Sequence, residues 1–160
     1  MTQTVWRIAT DAPAYEADDM TGAGAQLTGG RWNEAGIPVV YAAENRALAC
    51  LETIVHLNAG GLPLNRYLVG IAIPDDLWAA REEVDAGTLV GWDARPASRT
   101  SIRFGTEWAR SGRSPILVVP SVVVPEETNV LVNPLHPSSA SLVARKLRPW
   151  TYDPRMAKAT

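Results

Sequence analysis

Twelve prolines and twelve glycines are scattered through 160 residues, and this punctuation limits most regular elements to a short length. Proline has no N–H to give to a ladder, and glycine loses the most freedom on ordering. Each therefore marks a turn, a strand edge or an element end. A chain cut this often folds as short strands with a few helices. The apolar share, 46% against 20% charged residues, is enough for one real core and excludes a mainly disordered state. Six tryptophans against one phenylalanine assign much of the packing, or the lining of a pocket, to large flat rings. The formal charge is −2, with a pI near 5.7, so no global field draws the chain to nucleic acid or an anionic membrane. One cysteine, Cys50, excludes a disulfide scaffold and a four-cysteine zinc site. There is no apolar run long enough to span a bilayer, and Met1–Arg7 lacks the pattern of a secretory signal. A cytoplasmic protein is expected.

With no repeat and no linker, one domain over residues 1–160 is the economical reading, its core running from about 5 to 155. Val5–Ala9 reads as an opening strand, residues 11–27 as irregular, and Thr28–Asn33 as a glycine turn. Val39–Tyr41 is a short strand. Glu44–Leu57 is the clearest helix, with Ala47, Leu48, Leu51, Ile54 and Val55 on its apolar face, Glu52 at the border, and Asn58–Gly61 as its end. Tyr67–Ile73 is a strand closed by Pro74, and residues 82–91 are polar turns. Ser101–Arg110 is a second helix, with Ile102 and Trp108 inward and Gly112 just past its end. Ile116–Val119 and Val122–Val124 are β-like runs broken by Pro120-Ser121. Val130–Val132 is a further strand. A basic stretch from Leu142 (Arg145, Lys146, Arg148, Arg155, Lys158) ends in a strand plus a tail. The sum is α+β, short twisted strands with about two main helices.

Several polar groups carry chemistry, each with a plain alternative. Glu52 and His56 stand four apart, as half of a metal site or as a helix-surface hydrogen bond; a metal needs a further ligand, and His136 is the other histidine. Gly22, Gly24, Gly29 and Gly30 lack the spacing of a phosphate loop. Arg31, directly after two glycines, suits a phosphate or a surface salt bridge. Ser121 has no nucleophile turn around it, and either donates into a cleft or satisfies local backbone. Tyr41 is core or the cap of a pocket. His136 lies in a rigid proline turn, as an acid–base group or a bystander. The basic end has no nucleic-acid reading motif beside it, and a solvated terminus is its simpler account.

Taken in order, Gly30-Arg31-Trp32-Asn33, Val39-Val40-Tyr41, Ala49-Cys50-Leu51-Glu52 with His56, Val119-Pro120-Ser121, Asn129–Pro134 with His136, and Asp153-Pro154-Arg155 resemble the RES-domain toxins. That family is named for an arginine, a glutamate and a serine, here Arg31, Glu52 and Ser121. The resemblance runs from about Trp6 to Arg155. It implies a fold similar to ADP-ribosyltransferases and diphtheria-toxin-like enzymes, and a toxin of a bacterial toxin–antitoxin pair. It implies cleavage of the nicotinamide–ribose bond of NAD⁺, with ADP-ribose passing to a protein, water or phosphate. It also implies an Xre-type helix-turn-helix antitoxin that blocks the site. On this resemblance Glu52, Ser121 and Tyr41 are the expected catalytic residues. Arg31, Tyr41, Ser121 and Trp32 are expected to bind NAD⁺, with His56 in a weaker positioning role. NAD⁺ is a substrate, and no metal is expected. Two competing functions are a nucleotide- or partner-binding module without turnover and an RNA-cleaving toxin.

Overall fold

A computed structural model describes residues 2–57 and 61–157. Strand β1 (Thr2–Thr10) opens the chain, followed by the short helix α1 (Ala23–Thr28), β2 (Val40–Ala43) and helix α2 (Arg46–Ile54). Then come β3 (Arg66–Pro74), α3 (Asp75–Ala79), β4 (Glu82–Glu83), α4 (Arg99–Ser111), β5 (Ile116–Pro120), β6 (Thr128–Val132) and β7 (Val143–Pro149). They build one seven-stranded sheet in the order β4-β5-β6-β2-β1-β3-β7. Every pairing is antiparallel except β4 with β5, so the α+β expectation is met by a mixed sheet.

Alternation along the central strands divides the core. Ile116 and Val118 of β5, and Val130 and Val132 of β6, join Val5, Val69, Ile71 and Ile73 in one cluster. Their alternates Leu117, Val119 and Leu131 pack in another cluster with Trp32, Trp92 and Trp108. A third cluster sets Leu48, Ala49 and Cys50 of α2 against Ile8, Leu68 and Tyr152. The tryptophans are thus divided between fully buried packing, led by Trp108, and half-buried positions such as Trp6, Trp78 and Trp150.

Helix α2 is shorter than the expected 44–57. Asn45 caps it by accepting the Leu48 N–H at 2.7 Å, and it ends at Ile54. Its buried face also differs from the expected one. Leu48, Ala49 and Cys50 are buried, whereas Ala47, Leu51 and Val55 are exposed. At 100° per residue, residues 45, 48, 49, 52 and 53 form the inward arc, so Glu52 lies within that face and not at its border. Tertiary packing chose a face that a count of apolar residues does not choose. Part of the expected stop at Asn58–Gly61 (58–60) lies outside the described residues, as does Lys158.

Val122–Val124 is a bend, not a second β run. The Ser121 hydroxyl accepts the amides of Val123 and Val124, both at 3.1 Å, and so takes donors a strand would give to its neighbour. Helix α1 falls within residues expected to be irregular, because it is six residues long and buries no side chain. Helix α4 contains the expected 101–110 and extends it by two residues before and one after, with Ser98 as its cap; Trp108 is fully buried and Gly112 closes it, as expected.

Candidate active site

Four segments meet at one end of the sheet: the turn before β2, helix α2, the β5–β6 connection, and the start of β6. Register brings them together. Asn129 pairs with Ala43 on one side and Val119 on the other, and Tyr41 pairs with Leu131 in the same row system. Ser121 follows the last residue of β5, and helix α2 lays Glu52 over this end.

Glu52 Oε1 accepts two hydrogen bonds, from Ser121 Oγ at 2.6 Å and from Asn129 Nδ2 at 2.8 Å. Among the described residues, no donor reaches Oε2. One oxygen is pinned and the other faces outward from a half-buried side chain. Ser121 itself is fully buried. A serine hydroxyl offers two lone pairs and one hydrogen. The amides of Val123 and Val124 occupy the lone pairs, so the hydrogen is left for Glu52. That arrangement orients a carboxylate and leaves the serine poorly placed to attack anything.

The same pieces are tied a second time. Asn45, the cap of α2, donates through Nδ2 to Glu127 Oε1, and the Ser121 amide donates to the Glu127 carbonyl at 2.9 Å. The helix carrying Glu52 and the connection carrying Ser121 are therefore anchored at both ends of their contact.

Arg31 lies within the electrostatic reach of Glu52. Gly30 precedes it, and a Cβ there would lie 2.9 Å from the Tyr41 hydroxyl, so only glycine fits. The Tyr41 hydroxyl donates to Asn33 Oδ1 at 2.6 Å and accepts the Trp32 N–H at 3.1 Å. Burial pushes the Tyr41 phenol well above its usual range, so it stays a neutral donor here. Asn33, buried, spends its amide on the carbonyls of Ala25, Glu34 and Ile37. The turn is thus locked by side chains. Arg31 Nη1 donates to the carbonyls of Trp92 and Ala94, at 3.0 and 2.7 Å. Burial draws the pKa of its guanidinium below the usual arginine value, and the chief influence opposing that is the negative charge of Glu52. Carboxylate and guanidinium therefore share one field.

Of the expected residues, Arg31, Tyr41, Glu52 and Ser121 are brought to this end of the fold. Trp32 is 2% exposed, edge-on to Phe104 at 6.4 Å, so its ring serves the core beneath the turn. His56 is exposed in the turn after α2 and makes no hydrogen bond to Glu52; Ser121 and Asn129 do the positioning. His136 accepts the Ser138 N–H at 3.1 Å and caps a 3-10 turn. Asn129 had no expected role. A polar side chain opening an otherwise apolar strand, Asn129-Val130-Leu131-Val132, was the signal available for it. A cavity of about 290 Å³ lined by Gln3, Glu44, Trp78 and Thr128 does not include these residues. Among the described residues no helix is long and apolar enough to cross a membrane.

The chain is similar to known proteins over most of its length. The RES domain family model matches residues 4–154. A Prs ADP-ribosylating toxin of Sphingobium sp. (strain YBL2) is 64% identical over 159 residues, 99% of each chain. Toxin Res of Yersinia enterocolitica is 38% identical over 144 residues, covering 89% of this chain and 93% of that one. Toxin Res of Pseudomonas putida is 34% identical over 139 residues, 86% and 88% of the two chains.

Proposed function

The chain belongs to the RES domain family, and from that premise we propose that it is a toxin that cleaves the nicotinamide–ribose bond of NAD⁺ and transfers ADP-ribose to a protein. The observation that carries this reading is Glu52, pinned through one oxygen by Ser121 and Asn129 with its second oxygen open. As the C1′–N bond breaks, its electron pair leaves with nicotinamide, and the ribose carbon gains positive charge. A fixed carboxylate facing that carbon and its hydroxyls stabilises this state more than the ground state. An acceptor atom then gives its lone pair to C1′ and loses its proton to the carboxylate or to water. Arg31 holds the phosphate side of the dinucleotide. Tyr41 borders the nicotinamide, its hydroxyl spent on the arginine turn. Nothing in this sequence of steps asks for a metal or an enzyme nucleophile.

The protein acceptor follows from the Sphingobium relative, whose name gives Prs as what it ADP-ribosylates. Prs is the first acceptor to try for this chain. The relatives named as toxins also support an antitoxin partner, and we place an Xre-type antitoxin over the site entrance.

Purified protein incubated with NAD⁺ is expected to release nicotinamide, and Glu52→Gln to lose about 10²–10³ of that rate while keeping its melting temperature. Turnover by Glu52→Gln near the wild-type rate would overturn the assignment. With labelled NAD⁺ and Prs, label on the Prs band is expected. Free ADP-ribose, or its phosphate, with no labelled protein would instead establish NAD⁺ degradation as the activity.

A further inference from the structure

We propose that Arg95 is a second anion-holding residue of this site, and that Arg31 and Arg95 together take a diphosphate. The inference rests on the reading of the site as one for NAD⁺ and names how that substrate is recognised. It begins with residues 92–95, which hydrogen-bond to Arg31 on one hand and to Val122 on the other. The carbonyls of Trp92 and Ala94 receive Arg31 Nη1, at 3.0 and 2.7 Å. The next residue, Arg95, donates Nη2 to the Val122 carbonyl at 2.8 Å, one residue past Ser121. A single stretch of backbone thus receives one guanidinium on its carbonyls and sends the other to the residue after Ser121.

Each guanidinium commits one nitrogen to these carbonyls. Their remaining N–H groups donate to no acceptor among the described residues, which leaves both forks with donors to spare. Arg31 is half-buried and Arg95 exposed, as expected of an inner and an outer contact on one ligand. Arg95 also makes it harder for Arg31 to stay charged, while Glu52, more strongly, and Asp93, less strongly, act in the opposite sense. A diphosphate presents oxygens to the free donors of both forks at once. Glu52 also acts on Arg31, and in the proposed complex it faces the ribose while the two forks take the diphosphate. A mononucleotide, with one phosphate, would use the pair incompletely.

The test measures the affinity of inorganic diphosphate by calorimetry and NAD⁺ turnover by nicotinamide release, for the wild type, Arg95→Ala and Arg95→Lys. Removing a charge-assisted contact is expected to weaken diphosphate binding about 10- to 100-fold. KM for NAD⁺ should rise in parallel, and lysine should recover part of both. Unchanged diphosphate affinity, or a loss confined to kcat, would show Arg95 to be only a strap on the Ser121 bend and would overturn the proposal. Wild-type turnover with an Arg95-independent KM removes this inference and leaves the activity standing. Arg95-dependent diphosphate binding without nicotinamide release does the reverse.

Discussion

Ser121 spends its lone pairs on two backbone amides and its hydrogen on Glu52, so its identity matters through direction and not through nucleophilicity. Ser121→Ala leaves two amides and a carboxylate oxygen without that partner, in a fully buried position. Asn129 supplies the other donor, and here the choice of substitution separates geometry from charge. Asn129→Ala is expected to lower kcat for NAD⁺ cleavage by about 10-fold through lost orientation, on the usual size of one such hydrogen bond. Asn129→Asp sets a second carboxylate 2.8 Å from the first and should lower it further. Steady-state kinetics of both variants checks the order, and equal rates would show that Asn129 only fills space. At this scale the sequence was partly readable. Arg31, Glu52 and Ser121 stand out by their surroundings and by family resemblance. Asn129 lies in a stretch that carries the resemblance but had no role there, because its partner Glu52 is 77 positions away and nothing local says that they meet.

Helix α4 shows how an element positions a site it does not enter. Gly105 sits mid-helix, where glycine costs about 1 kcal/mol relative to alanine. The reason lies outside the helix: a Cβ on Gly105 would fall 1.8 Å from the Trp32 carbonyl oxygen. The Arg31 turn rests directly on this helix, and Thr106 adds a hydroxyl that accepts the Glu34 N–H at 3.0 Å. Gly105→Ala therefore gains helix propensity and still destabilises, by about 1–3 kcal/mol as an overpacked core position. Urea denaturation measures it, and a stabilised variant would show that the turn moves freely off the helix. The expected Ser101–Arg110 helix was legible from caps and periodicity. Its glycine was not, since only the neighbouring turn explains it. Helix α2 carries the opposite lesson: its apolar residues Leu51 and Val55 are exposed, at 40% and 55%, and Glu52 turns inward. The hydrogen bonds that Ser121 and Asn129 offer Glu52 outweigh the small loss from leaving two aliphatic side chains in water.

Across the whole molecule, the edge strand β7 is tied back to the end of β1 by Lys146, whose Nζ donates to both carboxylate oxygens of Asp11 at 3.0 Å. The Lys146 hydrogen bond, helped by the Ala17 amide, holds the Asp11 carboxyl below its usual value, and the same bond raises the pKa of Lys146. A carboxyl depressed in the folded state contributes stability above its unfolded pKa of about 4 and loses it as pH falls through the folded value. An ammonium raised in the folded state contributes below its unfolded pKa of about 10 and loses it as pH rises past that point. The urea midpoint of Lys146→Met should thus sit below wild type at neutral pH, and the gap should close towards acid and towards strong alkali. High salt should narrow it as well, because both side chains are partly exposed. A gap that is constant with pH would show that the lysine acts through the packing of its stem and not through its charge, which sits on Asp11 and over the Tyr67 ring, 4.6 Å from the ring centre. What the residue order alone determines about this protein is its class: apolar runs of strand length, proline and glycine breaks, and capped helices make it α+β, because those signals act between near neighbours. The inward turn of Glu52, the recruitment of Asn129 and the bridge from Arg31 through Arg95 to Val122 were decided only in three dimensions. Each depends on groups far apart along the chain satisfying one another's hydrogen bonds and charges once water is excluded.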